Sequence, residues 1–355
     1  ISADDLVAGE NTIDVTFDGD DNYTPNFNST TLFVLDGVIT NATYDYYFTN
    51  GVLVDIVPAE ATLDFQGLFA GAYTVKINKP VNVISSTGDA VFDSESKSGN
   101  AVYSFNVVAG ADHTNITGIS FMNYCLYIQG ASYVTVDDCS LVADVRGVGS
   151  GTGFLSIHSN AYYTTVKNCY MENGGTGSSV LVLGKGGKYA SFDNNVINIT
   201  GSSGNVLSSN VFVGTGELPQ YVNYTNNVIN SKVAASGFMY GITVCGEGNI
   251  IENNTLNNFK GNGIVNQYGA TSTKNVYRNN TITGGGSMAV GTNSIVENNY
   301  VEAAVTITAG CTVTGNTVNG LTISGANAVV TGNTVNGPVT ISGANVQFND
   351  NIVTG

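Results

Sequence analysis

One turn position recurs through this chain, and it limits the possible folds more than any other feature. Aligned segment on segment, it is occupied by Gly118, Asp138, Asn168, Asn194, Asn226, Asn253, Asn279, Asn298, Gly315, Gly332 and Asp350. All are Gly, Asn or Asp, the residues that accept a left-handed backbone. Two residues earlier stands an apolar or aromatic residue every time, from Ile116 and Val136 to Val330 and Phe348; three residues later stands another, from Phe121 and Leu141 to Val335 and Val353. A strand that points one apolar residue inward, bends at a left-handed residue and points a second one inward is the unit of a stacked solenoid.

Spacing between the turn residues is 17 to 19 from Asn279 onward and 20 to 32 before it. The short coils have room for three brief strands and three tight bends. The longer coils carry Gly- and Ser-rich insertions, GGTGSS from Gly174, GSSGN from Gly201 and SKVAASG from Ser231. No segment holds a 3.6-residue period, which excludes a helical solenoid. The fold class is therefore all-β, a right-handed parallel β-helix of about eleven coils, roughly 50 Å long at one strand spacing per coil.

The residue just after the bend is Ile119, then Cys139 and Cys169, then Asn195, Asn227, Asn254, Asn280, Asn299, Asn316, Asn333 and Asn351. An inward amide at a bend can bond its equivalents in the coils above and below, so these asparagines are expected to form a structural ladder. The two cysteines then fill ladder positions as small buried groups.

Residues 1–36 have a different pattern. NTIDVTFDGDDNYTPNFNSTTLFVLD alternates around an acidic turn and reads as a β-hairpin, too small to stand alone or the remnant of a preceding immunoglobulin-like domain. Residues 37–100 read as an N-terminal cap with the first irregular coils, because an uncovered terminal coil is an open sheet edge. Residues 101–355 form the β-helix proper.

Composition limits the partners. Net charge is −16, with only 11 Lys and Arg, so nucleic acid and anionic membranes lack the basic footprint they require. No apolar run is long enough to span a bilayer. Five cysteines, Cys125, Cys139, Cys169, Cys245 and Cys311, are odd in number and widely spaced, which is not a disulfide framework. His113 and His158 are the two histidines and neither sits near two cysteines, so no zinc set exists.

The run VDIVPAEATLDFQGLFAGAYTVKINKPVNVISS, followed by N-N-T coils, resembles the adhesin-like surface proteins of methanogenic archaea, which share the pectin-lyase-type β-helix. The opening AGENTIDVTFDGDDNYTPNFNSTTLFV resembles the last strands of the bacterial-type immunoglobulin-like repeats in those proteins. That resemblance implies an extracellular, envelope-associated protein contacting polysaccharide or glycoprotein on other cells. Fold alone does not imply activity, because β-helices of this type host lyases, hydrolases, epimerases and inert stalks.

No catalytic residues are assigned from the sequence. Arg146 and Arg278 are the only arginines, and the R-x-P-x-x-R, G-H-G, R-x-K and D-P-H patterns of enzymes on this fold are absent. Carboxylates from neighbouring coils, Asp137 with Glu172 or Asp193, could pair for glycoside hydrolysis, though a solvated outer face explains them as well. Asp18, Asp20 and Asp21 are weak candidates for calcium, lacking the alternating ligands of a dedicated loop; no other cofactor is implied. The best binding surface is the outer face of the sheet built from CLYIQG, GFLSIHS, GITVCG and GIVNQYG, with Tyr127, Ser156, His158, Thr243 and Gln267 pointing outward, since hydroxyls and amides beside aromatics suit sugars. The expected function is a non-enzymatic cell-surface adhesin or stalk, with a carbohydrate-active enzyme, a lyase or hydrolase with a non-standard site, as the alternative and a structural spacer as the third reading.

Overall fold

A computed structural model describes residues 5–95, 103–143, 153–174, 179–201, 204–232, 239–266 and 271–355. The chain winds through three parallel stacks of short strands. The first sheet contains fourteen strands, from Val38–Ile39 to Gln347–Asn349, each parallel to the next. The second runs from Leu68–Ala70 to Ile352–Val353 and the third from Val75–Ile77 to Val339–Ile341. Three strands of the first sheet, Val38–Ile39, Thr62–Phe65 and Asn82–Ile84, precede the eleven aligned coils, so coiling starts earlier than the turn alignment indicated.

The inner columns are in register. Ile116 pairs with Val136, which pairs with Val166, then Phe192, Tyr224 and Ile251, and the series continues to Phe348. A one-residue slip would turn every buried side chain outward, and that penalty fixes the register. Each of the eleven aligned turn residues has positive φ, between 51° and 72°. The interior narrows along the axis: Phe65, Phe69, Phe92, Phe105 and Phe121 interlock near the start, while Val296, Val313 and Val330 fill the short final coils.

Behind the bends lies a continuous amide ladder. The Asn195 Nδ2 donates to Asn227 Oδ1 at 2.9 Å, Asn227 to Asn254 at 2.9 Å, Asn254 to Asn280 at 3.0 Å and Asn280 to Asn299 at 2.9 Å. Asn299, Asn316 and Asn333 continue it at 2.9 Å to Asn351. Each Oδ1 also accepts the backbone N–H of the preceding ladder residue, and each Nδ2 gives its second hydrogen to a carbonyl, as Asn280 does to Ile251 at 2.8 Å. Buried amides are tolerated because every donor and acceptor is used. Cys139 and Cys169 occupy the two positions before the ladder, and the Cys169 N–H donates to Asn195 Oδ1 at 3.0 Å.

A second inner amide series precedes the first-sheet strands and was not read from the sequence. The Val222 N–H donates to Asn249 Oδ1 at 3.0 Å, Asn249 Nδ2 to Asn275 Oδ1 at 2.9 Å, and the Asn275 N–H to Ser294 Oγ at 3.2 Å. It was visible as an Asn five residues ahead of Asn254 and Asn280.

Strands Gly9–Phe17 and Asn26–Val34 form the expected antiparallel hairpin. Phe33 stacks on Tyr46, and the Tyr47 hydroxyl donates to Asp36 and accepts from the Gly37 N–H, which ties the hairpin to the first coils.

Candidate functional site, an aromatic column beside the first sheet

The corner leading into the first sheet repeats a second left-handed position, always five residues before the bend column. His113, Tyr133, Tyr163, Tyr189, Tyr221, Gly248, Lys274, Asn293, Gly310, Asn327 and Asn345 all have φ between 53° and 68°. Gly and Asn are inexpensive there, whereas an aromatic side chain costs about 1–2 kcal/mol. Five successive coils nevertheless place an aromatic ring at this corner.

Those rings form one stack on the outside of the solenoid. Centroids of His113 and Tyr133 are 4.8 Å apart, Tyr133 and Tyr163 4.8 Å, Tyr163 and Tyr189 4.7 Å, and Tyr189 and Tyr221 5.3 Å, with no pair more than 9° from parallel. The coil repeat of about 4.8 Å is itself a comfortable ring-to-ring distance, so equivalent corner rings stack without rearrangement. Tyr133 and Tyr163 keep 48% and 44% of their surface exposed, so the column is a surface feature and not core. It stops at Gly248, where a Cβ would lie 2.5 Å from the Tyr221 ring.

Beside this column run two outward rows of the first sheet. Thr135, Thr165, Ser191 and Asn223 occupy one, a line of hydroxyls and one amide. Asp137, Lys167, Asp193, Thr225, Glu252, Arg278 and Glu297 occupy the next. Tyrosine corner and charged row are four residues apart, roughly 13 Å of extended chain.

Charges of both signs line the second row, with Thr225 between Asp193 and Glu252. Lys167 Nζ lies 3.1 Å from Asp137, and Asn168 Nδ2 donates to the same carboxylate at 2.8 Å. Asp193 accepts Thr225 Oγ1 at 2.6 Å and Asn226 Nδ2 at 2.7 Å. Arg278 bridges Glu252 at 2.8 Å and Glu297 at 3.8 Å. At the corner, the Tyr221 hydroxyl donates to Glu247, and Lys274 pairs with the same group at 3.1 Å; these two bonds hold the Glu247 carboxyl below its ordinary range. Exposed pairs of this kind contribute about 0–1 kcal/mol each, so the row shapes the surface potential more than it stabilises the fold.

The surface expected from the sequence lies on the third sheet and is largely closed. Ser156 and Thr243 do point away from the core, yet they are 0% and 2% exposed, so neither can meet a ligand as expected. They belong to one row with Val182, Ser208 and Val265, all shut from solvent, and Thr243 Oγ1 spends its hydrogen-bonding on Ser208 at 3.1 Å. Tyr127 packs against an outer apolar cluster of Cys125, Ala143 and Phe154. His158 is half-buried with Nδ1 2.8 Å from Ser159 Oγ, and burial lowers its pKa. It fits because a Cβ at Gly184 or Gly214 would come within 2.9 or 2.7 Å of its own. Gln267 and Arg146 fall outside the described residues.

The other candidates are separated. Glu172 sits on the second sheet and accepts the Tyr170 hydroxyl, a bend away from Asp137, whereas Asp137 and Asp193 share one row two coils apart. Asp20 uses its carboxylate to cap the hairpin turn, its Oδ1 accepting the Asn22 and Tyr23 N–H groups. Among the described residues no three His, Cys, Asp or Glu side chains are grouped to hold a metal ion.

The chain matches no protein-family model and no curated protein. Solved structures do resemble it. The A-module of a mannuronan C-5 epimerase from Azotobacter vinelandii superposes with a TM-score of 0.54 at 11% identity, over 84% of this chain and 91% of that one. A mannuronic acid specific family 6 polysaccharide lyase from human gut microbiota gives 0.49 at 12%, over 86% and 82%. The catalytic domain of a GH87 α-1,3-glucanase gives 0.43 at 14%, over 83% and 62%. The first of these corrects the expectation of a non-enzymatic adhesin or stalk: the fold matches nine-tenths of an epimerase module. At such identity the likeness establishes architecture, and the chain is a right-handed parallel β-helix.

Proposed function

We propose that this chain is a carbohydrate-active enzyme that lays an extended polysaccharide along the outer face of the first sheet. One observation carries the reading: an exposed stack of five aromatic rings runs parallel to rows of hydroxyl and charged groups, each advancing one residue per coil. A polymer of repeating sugars is the ligand whose periodicity matches a repeating surface, and sugars are held by hydrogen bonds together with aromatic contact.

Asp137, Lys167 and Asp193 stand in the row beside the column, and they are the residues assigned to the chemistry. No helix among the described residues is long and apolar enough to cross a membrane. An extracellular place suits the reading, since polymeric substrates are met outside the cell.

Gel retardation by a panel of soluble polysaccharides, with release of reducing ends measured beside it, tests the proposal. Retardation by at least one polymer with turnover abolished in Asp137→Asn or Asp193→Asn is expected. Neither retardation nor turnover with any polymer would overturn it, as would turnover undiminished in both variants.

A further inference from the structure

We infer that the polysaccharide is a neutral glycan and that the reaction is hydrolysis; the inference rests on the enzyme reading above and narrows its substrate. The argument is electrostatic. A polyuronate carries one negative charge per sugar, so a face that binds it must offer uncommitted cations or bridging metal ions. Among the described residues no three His, Cys, Asp or Glu side chains are grouped to hold a metal ion, and the cations of this face are paired. Lys167 is paired with Asp137, Lys188 with Glu217, Lys274 with Glu247, and Arg278 with both Glu252 and Glu297. Lys167, Lys188, Lys274 and Arg278 are thus already neutralised, and Asp193 adds a carboxylate whose partners are a hydroxyl and an amide. The whole chain carries −16, so long-range forces also repel a polyanion.

Substrate class then selects the reaction. Elimination and C-5 epimerisation both begin by removing the C5 proton, which is acidic only when C6 is a carboxyl group. A neutral sugar bears a hydroxymethyl or hydrogen there, so bond cleavage must proceed by hydrolysis. The C1–O bond breaks, the oxygen of water bonds to C1, one carboxylate takes the water's proton, and the second carboxyl delivers a proton to the departing oxygen. Asp137 and Asp193 stand in one row two coils apart, roughly 9.5 Å between their backbones at the strand spacing, with Lys167 between them. The tyrosine hydroxyls and the Thr135, Thr165 and Ser191 row then meet sugar hydroxyls with no ionic cost.

The test compares the wild-type chain in native gels containing hydroxyethyl cellulose, xylan or galactomannan with gels containing alginate or polygalacturonate, at low and at moderate salt. Expected is retardation by at least one neutral polymer, unchanged by salt, with dissociation constants for both uronates at least ten-fold weaker. Retardation by a uronate at low salt and its loss at higher salt overturns the neutral-substrate inference while leaving the enzyme reading standing. Release of products absorbing as conjugated double bonds would likewise overturn hydrolysis alone. Absence of both retardation and turnover with every polymer overturns both.

Discussion

Tyr163 and Tyr189 stack 4.7 Å apart and 9° from parallel while their backbones hold φ of 55° and 58°. The same corner in later coils uses Asn293, Gly310, Asn327 and Asn345, which adopt that conformation cheaply. Stacking contributes about 0.5–1.5 kcal/mol per pair, comparable to the strain it accompanies, so the column brings little net stability. A surface role accounts for it better.

Replacing Tyr163 by Asn separates these effects. Stability should change by less than about 1 kcal/mol, because relief of left-handed strain offsets two lost stacking contacts. Affinity for the retarding polysaccharide should fall about ten-fold, as loss of one aromatic contact implies. Denaturation curves and binding isotherms read the two separately; unchanged affinity would assign the column to stability only.

Gly248 ends the column because the Tyr221 ring lies over it. Gly248→Ala should displace that ring, weaken its hydrogen bond to Glu247 and cost about 1–2 kcal/mol in backbone strain. Near-ultraviolet circular dichroism of the tyrosines is the readout, with a changed spectrum expected and an identical one counting against the packing described.

In the ladder, Asn280 accepts two hydrogen bonds from Asn254 and donates to Ile251 and Asn299. Asn280→Ala leaves buried groups without partners, a loss of about 3 kcal/mol. Asn351→Ala, at a half-buried position, should cost clearly less. Thermal midpoints of the two variants test the ordering.

His158 supplies a pH dependence with a defined sign. Burial lowers its folded-state pKa beneath the ordinary 6.5, so below that value the unfolded chain binds more protons than the folded one. Its contribution is complete above about pH 6.5 and is lost as pH falls through that value toward the depressed folded pKa. His158→Gln should reduce the drop in thermal midpoint between pH 7.5 and 5.5; an unaltered drop would place the titrating group elsewhere.

All five cysteines are buried. The neighbouring Cys169 thiol and burial raise Cys139 well above its ordinary value, and burial pushes Cys245 up to about 12. Thiol reagents should therefore label none in the native protein and five after denaturation. Rapid native labelling would mean the coils open readily.

What could be read directly was whatever repeats through local chemistry. The bend column, the two apolar columns around it and the asparagines behind it each need a particular residue type, because left-handed bends, a dry interior and satisfied buried amides tolerate few alternatives. The tyrosine corner was equally periodic but went unrecognised, since aromatic residues do not ordinarily signal a left-handed backbone. Asn249 and Asn275 were hidden by their coils' varied neighbours, where valine, alanine and threonine fill the same column.

Alternation also told correctly that Ser156 and Thr243 face away from the core, yet not that this outer row is sealed while the neighbouring sheet stays open. By itself the sequence determined the coil, its register and its inner ladder, for each is enforced by residues close to one another along the chain or by equivalents one coil away. Only the tertiary structure decided which outer face meets solvent and which charges are neutralised. Those outcomes depend on what lies over and beside each strand, and residues 19 to 33 positions apart share a surface only once the coils have stacked.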